Sequence, residues 1–168
     1  MKVPIQKSDT MPGSLVEGSR LPGTIVFSEN QWNTHGNFSV EGQSFHVAYY
    51  DHGVPPECLY SSDMRQLVIG YGCSSSIYDF ASAHSNLIVP KEGGINGPFY
   101  EIVAIDKIRT ILIFEITVFV YNFIDKTLLT YFCPDIVKDF SHDKDRGVFV
   151  VNCDGDLRLE IPLDGRPE

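Results

Sequence analysis

The chain has 168 residues, of which 43% are hydrophobic, 12% aromatic and 21% charged. That composition excludes an intrinsically disordered chain, and the length suffices to bury roughly two thirds of the surface exposed on unfolding. Thirteen Lys and Arg against 22 Asp and Glu give a formal charge of −9, which repels phosphate backbones and anionic lipid and argues against nucleic acid or a membrane as partner.

Residues 1 to 23 set proline and glycine among polar residues, with MPGS and LPG as punctuation and no apolar h-region. They read as a loosely ordered leader without a secretory signal, followed by a single β-rich domain over residues 24 to 168. TIVFSE, from Thr24, is the first strand, and QWNTHGN after it is a polar loop carrying Trp32. NFSVEGQSFHVAYY predicts a hairpin around Glu41-Gly42-Gln43. Its second arm puts Phe45, Val47 and Tyr49 on one face and His46, Ala48 and Tyr50 on the other. The consecutive prolines of DHGVPPE end the pattern.

MRQLVIGYG is a further strand. SSSIYDFASAHSN has Ile77, Phe80, Ala81 and His84 at helical spacing behind a Ser76/Asp79 capping box, which predicts a short helix. NLIVP is a short strand stopped by Pro90, and KEGGINGP is a glycine-rich loop. FYEIVAI, the run from Thr110 to Ile124 and KTLLTYF follow as strands, with turns at Asp106-Lys107 and Asp125-Lys126. The middle run is apolar apart from Thr, Glu115 and Asn122, yet shorter than the about 20 residues a membrane span needs. It reads as one long buried strand or two joined by a bulge.

CPDIVKDF predicts a second short helix opening on Pro134, with Ile136, Val137 and Phe140 on one side. In GVFVVNCDGDLRLEIPL, Asp154-Gly155 is a type I′ hairpin signature. A two-residue loop pairs Cys153 with Asp156, sets Val150 opposite Leu159, points Leu157, Leu159 and Ile161 inward and leaves Phe149 and Val151 half-exposed. The sum is an all-β protein, mainly an antiparallel sandwich or partly open barrel with one or two short helices; α+β is the alternative.

The four cysteines, Cys58, Cys73, Cys133 and Cys153, make no C-x-x-C pair. Neither zinc nor a disulfide framework is indicated, and the expected location is a reducing compartment, the cytoplasm. No cofactor or metal is expected, because the five histidines are scattered and no acidic loop has the spacing of a calcium site. GYGCSSS, residues 70 to 76, carries the leading candidate for catalysis. Cys73 at a strand-to-helix turn, with His84 or another histidine as base, has the residue types of a nucleophilic site, but the segment is neither a P-loop nor a G-x-S-x-G elbow. Glu101 and Glu115 on neighbouring strands are a weaker pair for glycoside chemistry, and Arg109 is the simpler partner for Glu115.

The leading expectation is therefore a non-enzymatic protein-binding module with a basic protein partner, in its most concrete form an inhibitor or immunity protein neutralising a basic toxin. Its contact residues are expected among Trp32, Tyr49 and Tyr50 and the acids Asp139, Asp143, Asp145, Asp154 and Asp156. A small enzyme using Cys73 and a β-barrel enclosing a small apolar ligand are the alternatives.

Overall fold

The computed structural model describes residues 1–8, 24–29, 32–88 and 96–163. Among them the chain is all-β, and its only helical turn is a 3-10 turn at Asp154–Asp156. It divides into two compact units, Met1–Gly93 and Gly94–Glu168, with the boundary in the predicted KEGGINGP loop.

The first unit holds β1 (Lys2–Val3), β2 (Gln6–Lys7), β3 (Thr24–Ser28), β4 (Thr34–Val40), β5 (Gln43–Tyr49), β6 (Glu57–Ser61), β7 (Gln66–Tyr71), β8 (Ser74–Asp79) and β9 (His84–Ile88). One sheet runs β2-β4-β5-β3 and the other β1-β6-β7-β8-β9. All pairings are antiparallel except β3 on β5. The start of the expected leader is thus part of the sheets, since Lys2 pairs with Leu59 and Gln6 with Asn37; residues 9–23 lie outside the described residues.

The β4–β5 hairpin forms where the sequence predicts, but its turn is the two residues Glu41-Gly42, both at positive φ, and Gln43, expected in the turn, already pairs with Val40. Its alternation sends Phe38, Val40, Phe45, Val47 and Tyr49 to one face, where with Phe27 they meet Cys58, Tyr60, Leu67, Ile69, Tyr71 and Tyr78 of the second sheet. Phe45 is the hub: its ring lies 5.0 Å from Phe38, 6.0 Å from Phe27 and 5.3 Å from Tyr78, and such contacts add to the area each ring buries.

The helix expected over 76 to 85 is absent. Ser74–Asp79 pairs in full with β7, and His84–Ile88 pairs back on β8. Helical spacing of Ile77, Phe80 and Ala81 loses to a ladder that pairs Ser75–Asp79 on both sides and so satisfies their backbone groups. Asp79, read as a capping residue, instead closes the β8–β9 turn by accepting the N–H groups of Ala81 and Ser82 at 2.8 and 3.1 Å.

The second unit holds β10 (Phe99–Ala104), β11 (Arg109–Phe114), β12 (Thr117–Asn122), β13 (Leu128–Phe132), β14 (Val137–Asp143), β15 (Val148–Cys153) and β16 (Arg158–Pro162). Its sheets are β10-β11-β12-β13 and β14-β15-β16. The run from Thr110 to Ile124 is neither a single strand nor a bulged one. It folds back at Glu115-Ile116, so that Ile113 faces Val118 and Ile111 faces Val120. These four side chains pack against Val137, Phe149, Val151 and Ile161 of the second sheet. Leu112, Phe114, Phe119 and Tyr121, on the opposite face, are buried as well, which explains why the run shows no alternation.

Two further expectations are corrected here. CPDIVKDF is not a helix: Val137–Asp143 pairs with β15 across a bulge between Val137 and Asp139. The last hairpin has a three-residue connection, with Gly155 and Asp156 at positive φ, so Val151 rather than Val150 faces Leu159. One residue of slip exchanges the faces of a strand. The exchange falls on β15, where Phe149 and Val151, expected half-exposed, join the core; on β16 Leu159 and Ile161 point inward as expected, and Leu157, also expected inward, is 44% exposed.

Behind the first core, on the other face of β4 and β5, the rings of His35 and His46 stack with centroids 5.4 Å apart. Both are buried, and neither Nε2 has a hydrogen-bond partner among the described residues. Burial first, and then the neighbouring His35, hold the His46 imidazole below its ordinary range. The unfolded chain is therefore the better proton binder, so stability is full above the ordinary imidazole range and falls as the pH drops through it. Urea denaturation at about pH 7.5 and about pH 5.5 should show the wild type weakening in acid and His46→Phe weakening less. Equal acid losses in both would remove the imidazole pair as the cause.

Candidate functional site

The tip of the β7–β8 hairpin is Gly72-Cys73, with Tyr71 opposite Ser74. Glu29, the residue after β3, presses its carboxylate onto this tip. It accepts the N–H of Cys73 at 2.7 Å, the Ser74 hydroxyl at 3.2 Å and the N–H of Tyr50 at 2.7 Å. Gly72 is needed twice over: its φ is +51°, and a Cβ would stand 2.0 Å from a Glu29 oxygen. One carboxylate thus joins the ends of β3 and β5 to the hairpin tip.

The loop after β5 is held in turn by Asp51, which accepts the Gly53 N–H at 2.8 Å and pairs with Lys7 at 3.2 Å. These partners, the Gly53 N–H foremost, hold its carboxyl below the usual range. So placed, His52 brings Nε2 to 3.2 Å from the Cys73 Sγ, with the Tyr50 ring 5.0 Å from its own. A thiol and an imidazole in contact are the first two members of a nucleophile–base arrangement. The expected partner, His84, is elsewhere: it is exposed on β9 and donates through Nδ1 to the Ser82 carbonyl at 2.9 Å. Nor does Cys73 sit at a helix N-terminus, since β8 follows it. Glu29 also works against acyl chemistry, because it occupies the Cys73 N–H and puts negative charge where an oxyanion would need donors.

The other sequence candidates fall in two places. In the first unit Trp32 is half-buried with its ring edge-on to His35 at 6.4 Å. Tyr50 is 46% exposed, whereas Tyr49 is 3% exposed and belongs to the core. Tyr49 is therefore withdrawn as a contact residue; the alternation that puts it beside Phe45 and Val47 also buries it. In the second unit Asp143 lies beside Arg146 at the β14–β15 turn, with exposed Asp145 in that turn. Asp139 and Asp154 are at the opposite end of β14, and Asp156 shares the 3-10 turn with Asp154.

At that end Lys138 pairs with Asp154 at 2.9 Å and is flanked by Asp135 and Asp139, and this company, Asp154 first, raises its ammonium above the ordinary range. The N–H of Asp154 donates to the carbonyl of Ile136 at 2.9 Å. Ile136 is 40% exposed, and Phe132, at the end of β13, is 69% exposed. The sequence reading missed both, because it placed Ile136 on the inner side of a helix. Leu129 and Ile124 are exposed along the same strand and its preceding turn.

Glu115 is not paired with Arg109, which bonds Asp106 at 2.6 Å instead, and Glu101 faces Ile113 rather than Glu115. Among the described residues no three His, Cys, Asp or Glu side chains gather in a metal-binding arrangement. The sheets of the described residues close no barrel, so the barrel reading loses its enclosed cavity. Two clefts among the described residues are of about 450 Å³ beside His84 and Thr24, and about 210 Å³ between Lys7, Asp51 and Pro56. No described helix is long and apolar enough to cross a membrane.

No family model and no curated protein matches the chain. A solved structure, Kluyveromyces lactis Hsv2, is similar at 17% identity and a TM-score of 0.36 over 66% of this chain, which spans 33% of that one.

Among the four thiols Cys73 should react first with iodoacetamide near neutral pH. Cys58 and Cys153 are buried, and burial, with Cys153 alongside, pushes the Cys133 thiol up to about 12. Peptide mapping that found Cys133 or Cys58 alkylated before Cys73 would contradict this placement. Glu29→Ala leaves two N–H groups and a hydroxyl without their acceptor and should cost about 1–3 kcal/mol in denaturant unfolding; an unchanged midpoint would show that water replaces the carboxylate freely.

Proposed function

We propose that the protein is a non-enzymatic binding module for a basic protein partner and that the contact surface lies on the second unit, where Ile136 is exposed between Asp135 and Asp154 and Phe132 is exposed at the end of β13. The observation that carries the reading is the crowding of Asp135, Asp139 and Asp154 around the single ammonium of Lys138 in the unit that leaves Ile136 and Phe132 exposed. Apolar contact supplies affinity, and an acidic rim steers a basic partner and fixes its orientation. The net charge of −9 acts in the same direction. An inhibitor or immunity protein acting on a basic toxin is this reading with the partner specified.

The second reading is thiol chemistry at Cys73, favoured by its 3.2 Å contact with His52. The occupied Cys73 N–H and the carboxylate beside it rank this reading below the first.

Capture of partners from native lysate should discriminate. The wild type is expected to retain a basic protein at low salt and release it as salt rises. Phe132→Ser and the triple variant Asp135→Asn, Asp139→Asn, Asp154→Asn are expected to lose it, while Cys73→Ser keeps it. Retention by both surface variants, or loss in Cys73→Ser alone, would transfer the function to the first unit.

A further inference from the structure

Among the described edges of the second unit, three carry charge along the strand: Glu101 on β10, Lys138, Asp139 and Asp143 on β14, and Arg158 with Glu160 and Pro162 on β16. Charges and proline on an edge are the usual means of preventing another chain from pairing with it. The fourth edge, β13, has the sequence LLTYF and neither device. Its polar ends are Asp125 and Lys126 before it and Asp135 after it.

The hydrogen-bond phase of β13 is fixed. Asn122 donates its N–H to the Thr127 carbonyl, and Cys133 donates to Ile116. In an antiparallel ladder this makes Thr127, Leu129, Tyr131 and Cys133 the residues whose backbone groups face β12. Leu128, Thr130 and Phe132 aim N–H and C=O away from the sheet, and no hydrogen bond among the described residues takes them up. Side chains on both faces of this open edge are exposed, Leu129 on one and Phe132 on the other.

We propose that the edge of β13 binds an extended segment of the basic partner by strand addition, with main-chain hydrogen bonds to Leu128, Thr130 and Phe132. Apolar side chains of that segment lie along Leu129 and Phe132, and a Lys or Arg reaches the carboxylates of Asp135, Asp139 and Asp154. The proposal rests on the binding-module reading and specifies its mode. Two features choose a basic segment over a second copy of this chain: Asp135, three residues beyond the strand, belongs with Asp139 and Asp154 to a group of carboxylates that shares one lysine, and two chains of charge −9 repel each other. Strand addition also explains how an uncharged, unblunted edge is useful rather than a liability, because backbone bonds supply affinity while the flanking side chains select the sequence.

The test uses the full chain and a synthetic peptide of alternating Lys and Val, with three comparisons. Thr130→Pro removes one outward N–H and leaves the ladder to β12 untouched, since proline is tolerated where an edge N–H faces solvent. The second comparison is the same peptide N-methylated on alternate residues, which keeps its charge and side chains but not its donors. The third is a peptide of alternating Glu and Val. Strand addition requires that Thr130→Pro and N-methylation each weaken binding about tenfold or more, that the Glu peptide bind worse than the Lys peptide, and that the amides of Leu128, Thr130 and Phe132 become protected from hydrogen exchange by the Lys peptide. Absence of binding, or binding indifferent to Thr130→Pro and to N-methylation, overturns strand addition. The binding-module reading is decided separately by the surface variants in lysate capture. Sedimentation showing dimers that protect these same amides without peptide overturns the choice of occupant in favour of a second copy.

Discussion

The contact of Ile111, Ile113, Val118 and Val120 with Val137, Phe149, Val151 and Ile161 is the constraint on which the second unit depends. The apolar faces that the two sheets turn to each other cannot remain in water, and side chains alternate along every strand. Burying those faces therefore fixes strand register and sends alternate residues to the other side. Among the described residues the meander β10-β11-β12-β13 then ends at β13 with no further strand to cover it, and the turn that follows brings Ile136 to Asp154. The surface assigned to binding is in this sense a by-product of how the core is closed.

The first unit solves the same problem with rings. Phe45, stacked and edge-on to its neighbours, anchors β4 and β5 against the second sheet, and the strand ends are then tied by polar groups. Glu29 is the most consequential of these. It satisfies backbone donors of two separate loops, and Gly72 leaves it room. The approach of His52 to Cys73 follows from loops secured by Glu29 and Asp51, so their 3.2 Å contact has a structural origin that needs no catalytic purpose. The same carboxylate that builds the tip deprives it of the donors that acyl chemistry would use.

Acidity in this protein is distributed rather than pooled. Most surface carboxylates have a cationic or amide partner: Asp106 with Arg109, Asp139 with Asn152, Glu160 with Arg146 and Arg158. Around Lys138 the acids outnumber the cation, since Asp135, Asp139 and Asp154 share one lysine while Asp139 also accepts from Asn152, and Ile136 stands exposed beside Asp135 and Asp154. Unbalanced charge next to uncovered carbon is what the proposed binding role rests on.

Much of the architecture was legible in the sequence. Alternation in NFSVEGQSFHVAYY, the Glu41-Gly42 turn, the strand MRQLVIGYG and the turns at Asp106 and Asp125 are local signals, and local signals determine all-β class, most strand positions and which face of β5 is core. Cys73 and the acids Asp139 and Asp154 could also be singled out from residue type alone. What failed was whatever required knowledge of a distant partner. Ser76 to His84 and Pro134 to Phe140 had helical spacing but were claimed by strands already in place, the Thr110 to Ile124 run concealed a hairpin because both of its faces are buried, and one extra turn residue at Asp156 exchanged the faces of β15. The meeting of Cys73 with His52, the role of Glu29 and the open edge of β13 were decided only by tertiary structure, because each depends on which strands lie side by side, and pairing energy comes from residues far apart in the chain.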